Sequence, residues 1–236
     1  MKFLTSIWTS IALIVLLLGI RVLDPSFIEQ TRLNTFDQYI KSLPDKESDV
    51  VLLNLGEETL AKHGQYPFPR HTYAQLISDL RNANAGMIVF TIMFPEADRF
   101  GGDEVFISWV NNNGIILSQD ASSRGRSDSA PYVGTATLGE GDAYDFVPKY
   151  EGLVTNLSEL ETAAWGVGLI NSKKEVDNIT RRIPLLSQIN GQLYPALPLE
   201  VIRVLQDKKS YSLKADYDGI KDVMIPPYDP IKTEYD

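Results

Sequence analysis

Cysteine is absent from the 236 residues, and histidine occurs only twice, at His63 and His71. Without thiols there is no disulfide framework, thiolate zinc site or cysteine nucleophile, so the fold rests on its apolar core and composition leaves the redox compartment open. Positive charge is also scarce: 22 Lys plus Arg face 31 Asp plus Glu, a formal charge of −9. That balance excludes a protein that tracks nucleic-acid phosphates, which needs a basic excess to displace counterions. Catalytic and cofactor signatures are missing too. No G-x-S-x-G elbow occurs, Gly134, Gly139 and Gly141 lack the spacing of a phosphate-binding loop, and no EF-hand run is present. No metal, cofactor or catalytic residue is therefore expected. The length allows one large domain or two small ones.

One long apolar run is present. Residues 3–20 carry no charge, and 18 helical residues reach about 27 Å at about 1.5 Å per residue, just enough to span a bilayer. Arg21 is placed to snorkel while Val22 and Leu23 extend the apolar length. A cleaved signal peptide fits less well, because Arg21-Val22-Leu23-Asp24-Pro25 stands where a small-x-small cleavage site belongs. Residues 1–24 are expected to be a transmembrane anchor, touching the membrane through residues 3–23. Lys2 before the run and Arg21 and Arg32 behind it nearly balance, so charge counting does not set orientation. Without Lys2, Arg21 and Asp24 the remainder carries −10, which favours a domain outside an anionic membrane, periplasmic or extracellular.

The rest reads as α/β, a mostly parallel sheet with flanking helices. Asp24-Pro25 ends the first helix, and Phe27, Ile28, Leu33, Phe36 and Ile40 suggest a juxtamembrane helix. Asp49-Val50-Val51-Leu52-Leu53-Asn54-Leu55 suits a strand buried on both faces. Tyr73, Leu76, Ile77 and Leu80 fall at i, i+3, i+4, i+7, an amphipathic helix, and residues 86–92 form the next strand. Val105, Phe106, Trp109 and Val110 mark another helix before a strand at residues 114–118. Residues 120–150 turn to Ser, Gly, Asp and Pro, including Ser122-Ser123-Arg124-Gly125-Arg126-Ser127, and read as an insertion. Strands are expected at residues 165–171 and 181–189, with Asn190-Gly191 a hairpin turn, then a helix through Leu199, Ile202 and Leu205.

Several residues stand out chemically. In Gly64-Gln65-Tyr66-Pro67-Phe68-Pro69-Arg70 two prolines stiffen a loop before a helix, and Arg70 serves either the framework or a ligand. Carboxylates follow the strands: Glu57 and Glu58 after the first, Glu96 and Asp98 after the second, then Asp103. In parallel sheets ligands bind at that edge. With Arg70 and Arg181 these acids suit a polar small molecule or a hard cation such as calcium or magnesium, though solvated loop charges are the commoner case. His63 and His71 flank the proline loop and are the available imidazole bases for hydrolysis, though surface roles for such histidines are commoner.

Together the apolar helix, residues 49–60, the loop Gln65-Tyr66-Pro67-Phe68-Pro69-Arg70, residues 86–98 with Asp103, and Val176-Asp177-Asn178-Ile179-Thr180-Arg181-Arg182-Ile183-Pro184-Leu185 resemble the CHASE domain of the second type. The resemblance covers residues 21–236. It implies an extracytoplasmic α/β sensor over residues 25–236, forming dimers or larger assemblies, that binds an unidentified small-molecule or protein ligand and couples it to a cytoplasmic output such as a nucleotide cyclase or histidine kinase. Enzymatic activity would belong to that output, and the resemblance places the end of the sensor beyond Asp236. Arg70, Asp103, Asp177 and Arg181 match the family pattern, with Glu57, Glu58 and Glu96 as further ligand-binding candidates. Gly56 and Thr91 stand where the family commonly carries acids. A membrane-tethered hydrolase and a structural envelope interaction protein are the alternatives.

Overall fold

The protein is described from a computed structural model covering residues 7–44, 47–123, 133–225 and 231–232. Residues 1–6 of the expected anchor and 124–132 of the expected insertion lie outside these described residues. The chain divides into two compact units, Met1–Asn54 with Lys173–Arg181, and Leu55–Ser172 with Arg182–Asp236.

In the first unit, α1 (Ile7–Leu23) and α2 (Ser26–Ser42) form two helices bent by 78°. The break follows from local chemistry. Pro25 has no N–H to continue the ladder, and Asp24 takes the left-handed conformation (φ 38°) that short polar side chains tolerate. α1 buries none of its residues. Among the described residues no single helix is long and apolar enough to cross a membrane, and α1 with α2 passes only as a bent pair.

Residues 49–55 are not the buried strand that their composition suggests. They form no strand, and Val50, Val51 and Leu52 are exposed, Leu52 at 89%. An apolar run becomes a strand only when a neighbour accepts its backbone hydrogen bonds, and no strand pairing reaches this one.

The second unit opens with α3 (Glu57–His63) and α4 (Arg70–Asn82), then β1 (Ile88–Phe90), α5 (Asp103–Val110) and β2 (Ile115–Ser122). α4 buries Tyr73, Ala74 and Ile77, the face expected from its spacing. The β1–α5–β2 crossover makes a parallel pair, Ile88 opposite Ile115 and Phe90 opposite Leu117. β3 (Gly134–Leu138), β4 (Lys149–Tyr150), β5 (Gly152–Val154), α6 (Ser158–Ala163) and β6 (Gly166–Leu169) follow. The chain ends with β7 (Leu186–Ile189), β8 (Gln192–Pro195), α7 (Leu197–Leu205), β9 (Ser210–Asp216), β10 (Gly219–Met224) and β11 (Ile231–Lys232).

The architecture is mixed α/β, but a mostly parallel sheet is not what forms. Among the described residues three small sheets do: β1-β2-β5 with β6 also on β2, β11-β10-β9-β3, and β4-β7-β8. β2 pairs parallel with β1 and β6 and antiparallel with β5, while β9 and β7 each have one parallel and one antiparallel neighbour. Tight turns cause the difference. Asn190 and Gly191 both take positive φ, as a two-residue hairpin requires, and force β8 antiparallel to β7.

One core gathers Phe68, Tyr73, Phe90, Phe94 and Phe106 between α4, α5 and β1, with Tyr73, Phe90, Phe94 and Phe106 linked by edge-to-face contacts and Phe68 tilted against Tyr73. A second joins Leu193, Leu199, Tyr211 and Leu213. α7 packs on β6 because β6 is nearly smooth: a Cβ on Gly168 would lie 2.5 Å from the Leu197 Cα.

Candidate functional site

Two arginine-centred clusters hold most of the residues singled out by sequence. In the second unit Arg70 opens α4 and is buried. Its Nη2 donates to the Glu96 carbonyl oxygen (2.7 Å), its guanidinium lies 4.5 Å from the centre of the Phe94 ring, and its Nε is 3.3 Å from Asp103 Oδ1. That last contact is an ion pair whose angle misses hydrogen-bond geometry, leaving both atoms without a hydrogen-bond partner. Arg70 therefore bonds the backbone of Glu96, not its carboxylate.

Asp98 is the hub beside it. Its Oδ2 accepts the backbone N–H of Arg70 (2.9 Å) and of Gly102 (3.2 Å), its Oδ1 that of Phe100 (3.1 Å), and its own N–H donates to Asp103 Oδ2 (2.7 Å). The carboxylate thus satisfies the first N–H of α4 and the N–H of Gly102, which caps α5, where helix dipoles favour negative charge. Burial acts to raise the Asp98 pKa, but these three N–H groups and the Arg70 charge outweigh it and leave it lowered. This arrangement fixes the 94–103 loop rather than leaving a charge open to solvent.

The first unit carries the stronger cluster. Arg181 donates Nε to Asp37 Oδ1 and Nη2 to Asp37 Oδ2, both at 2.8 Å, a two-bond fork. It also bonds Asp177 Oδ1 (3.0 Å) and Oδ2 (2.6 Å) and Glu175 Oε2 (2.9 Å), with its side chain only 5% exposed. One guanidinium faces three carboxylates. The bonds from Arg181 hold Asp177 down to about 2 and also lower Asp37, and the acids together raise Arg181. The 175–181 segment closes on itself through the Glu175 N–H to the Ile179 carbonyl (3.1 Å) and the Asn178 N–H to the Glu175 carbonyl (2.9 Å).

The remaining candidates stay apart from these clusters. Glu57 and Glu58 lie exposed in the first turn of α3, the Glu96 side chain is exposed, and none of the three has a side-chain partner among the described residues. His63 meets the Phe68 ring edge-on and His71 is exposed in α4. Gly56 caps α3, and Thr91 is exposed after β1. Among the described residues no group of three or more His, Asp or Glu is placed to hold a metal ion.

Sequence reasoning missed three acids and an arginine. Asp37 lies 144 residues from its partner, so no local pattern reveals it. Glu175 was hidden among Lys173, Lys174 and Asp177. The buried Glu200 accepts two bonds from Arg203, at 2.6 and 2.8 Å, and the Tyr211 hydroxyl. Burial, then Glu200, pushes the Tyr211 pKa up, and the bond to Glu200 raises Arg203. The i, i+3 spacing of Glu200 and Arg203 was the available signal.

A buried polar knot links the segment after β1 to the middle of β2. Asn156 accepts the Phe94 N–H (2.8 Å) and donates to the Ser118 carbonyl (2.9 Å) and to Glu161 (3.2 Å). The ligand edge expected after residues 86–92 is, at Phe94, closed by the chain itself.

The family model for the CHASE2 domain matches residues 11–234, nearly the whole chain. No curated protein and no solved structure matches it.

Proposed function

Since this chain belongs to the CHASE2 domain family, the extracellular sensory domains of signalling receptors, we propose that it is the signal-input part of a membrane-bound receptor. In this reading residues 1–24 anchor the chain and residues 25–236 form a periplasmic or extracellular sensor. The output, a nucleotide cyclase or histidine kinase, lies outside the chain, and the receptor works as a dimer or larger assembly so that paired helices transmit the change.

The observation that carries this reading beyond the family match is the Arg181 fork. It joins α2, the helix that directly follows α1, to the 173–181 segment inserted between β6 and β7, so a rearrangement of that segment pulls on the element next to the anchor. Signalling requires two states that the ligand binds unequally, and a four-group ion cluster is an element with made and broken forms. Arg70, Asp103, Asp177 and Arg181 then act as positioning residues, already engaged within the chain. The exposed acids Glu57, Glu58 and Glu96 are left to meet a small polar ligand.

The test is native mass spectrometry of the full chain released from nanodiscs, joined to hydrogen exchange over α2 and residues 173–181. A reproducible small-molecule adduct is expected, lost in the triple variant E57Q/E58Q/E96Q, with faster exchange in α2 after the ligand is removed. A chain that carries no adduct from any extract and shows unchanged exchange overturns the reading.

A further inference from the structure

The second half of α2 is apolar on one side and polar on the other, and Glu29 and Arg32, seven and four residues before Phe36, continue the apolar side as an ion pair. Phe36, Tyr39 and Ile40, with Leu43 just past the last turn, recur at i, i+3, i+4 and i+7, and all remain exposed, at 43, 61, 47 and 46%. Asn34, Gln38 and Lys41 lie on the other side, exposed as well. We infer that this stripe rests on the lipid surface, so that α2 is an interfacial helix lying along the membrane. The inference rests on the reading of α1 as the anchor and adds a second membrane contact to it.

Three observations name lipid as the occupant. First, the bend fixes the direction. With α1 along the bilayer normal, a helix turned by 78° and about 26 Å long climbs only about 5 Å, which keeps all of α2 within the headgroup layer beside the hydrocarbon core. Second, the chain leaves no room for α2 to rise first, because only Asp24 and Pro25 separate the helices. Third, the acids at the α1–α2 junction are paired. Arg32 bonds both Asp24 oxygens at 3.1 Å and also Glu29, so no lone carboxylate must be desolvated at the interface. Phe36 and Tyr39 are the side-chain types that settle at headgroup level. Asp37 is one residue on from Phe36 and so about 100° round the helix. The Arg181 fork therefore sits beside the stripe and is not buried under it.

The full chain contains no cysteine, so single-cysteine labelling is clean. F36C and I40C on the stripe, N34C and Q38C on the polar side, and L16C on α1 each receive an environment-sensitive fluorophore. They are read in phosphatidylcholine–phosphatidylglycerol liposomes containing nitroxide-bearing lipid. Blue-shifted, lipid-quenched emission is expected at F36C and I40C, unquenched emission at N34C and Q38C, and quenching at F36C that survives high salt because the stripe is uncharged. L16C separates the two readings. If L16C is quenched while F36C and I40C behave like the polar side, the interfacial helix is overturned and the anchor stands. If L16C is unquenched, the anchor fails and the inference with it. If F36C copies cross-link to one another and escape lipid quenching, a second α2 covers the stripe and the lipid contact is overturned.

Discussion

At the scale of single residues, two ionic clusters differ in what they contribute. Arg181 is shared among Asp37, Glu175 and Asp177, and both Asp37 and Asp177 titrate below their ordinary value of 3.8. A carboxylate depressed by folding stabilises the folded chain in full above its unfolded pKa and loses that contribution as pH falls through its folded value, here about 2 for Asp177. Thermal unfolding of the full chain followed between about pH 5 and pH 2 should fall steeply, and more shallowly in D177N. R181K keeps the charge but cannot make the two-bond fork, so its melting temperature should drop at neutral pH, with D37N giving the same drop and the double variant little more. Glu200 poses a different case, because it has no solvent access. Removing it as E200A strands a charged Arg203 and an unpaired Tyr211 hydroxyl and should cost about 3 kcal/mol or more in denaturant unfolding. The apolar E200M/R203M pair removes both charges together and should cost less than E200A.

At the scale of elements, close packing depends on missing side chains. A Cβ on Gly168 meets the Leu197 backbone, and one on Gly102 falls 2.9 Å from the Arg70 Cβ and 3.0 Å from Asp98 Oδ2. Backbone does not yield as a flexible side-chain tip does. G168A should separate α7 from β6 at a cost of about 1–3 kcal/mol, measured as a lower denaturant midpoint. G102A should loosen the Asp98 cap on both helices and speed hydrogen exchange in the first turns of α4 and α5. The helices were the elements most legible beforehand. α4, α5 and α7 announce themselves by apolar spacing, and α2 by Phe27, Leu33, Phe36 and Ile40, because a helix writes its buried face into local sequence. α3 and α6, of 7 and 6 residues, are too short to show a period.

At the scale of the whole chain, 13 prolines and 16 glycines divide the polypeptide into many short elements, and the described residues form several small sheets in place of one large one. A sheet's membership depends on which strands find one another. β3 pairs with β9 in parallel, Gly134 opposite Ser210 and Leu138 opposite Lys214, a register across 76 residues that no local signal encodes. If residues 25–236 form the autonomous sensor proposed above, the chain lacking residues 1–24 should remain soluble, helped by its charge of −10, and unfold cooperatively. Aggregation or a non-cooperative melt, followed by circular dichroism and light scattering, would refute that autonomy.

The sequence by itself determined the apolar N-terminal helix, its break at Asp24-Pro25, the amphipathic helices, the Asn190-Gly191 hairpin and the family, all of them properties of neighbouring residues. It also marked Arg70, Asp103, Asp177 and Arg181 as notable. Only the tertiary structure decided what those four do, since each is judged by its partners: Arg70 by the Glu96 carbonyl and the Phe94 ring, Arg181 by an aspartate 144 residues away. It decided, too, that residues 49–55 form no strand despite their composition. Local propensity is summed along the chain, whereas burial, ion pairing and strand register are set by residues that meet only when the chain has folded.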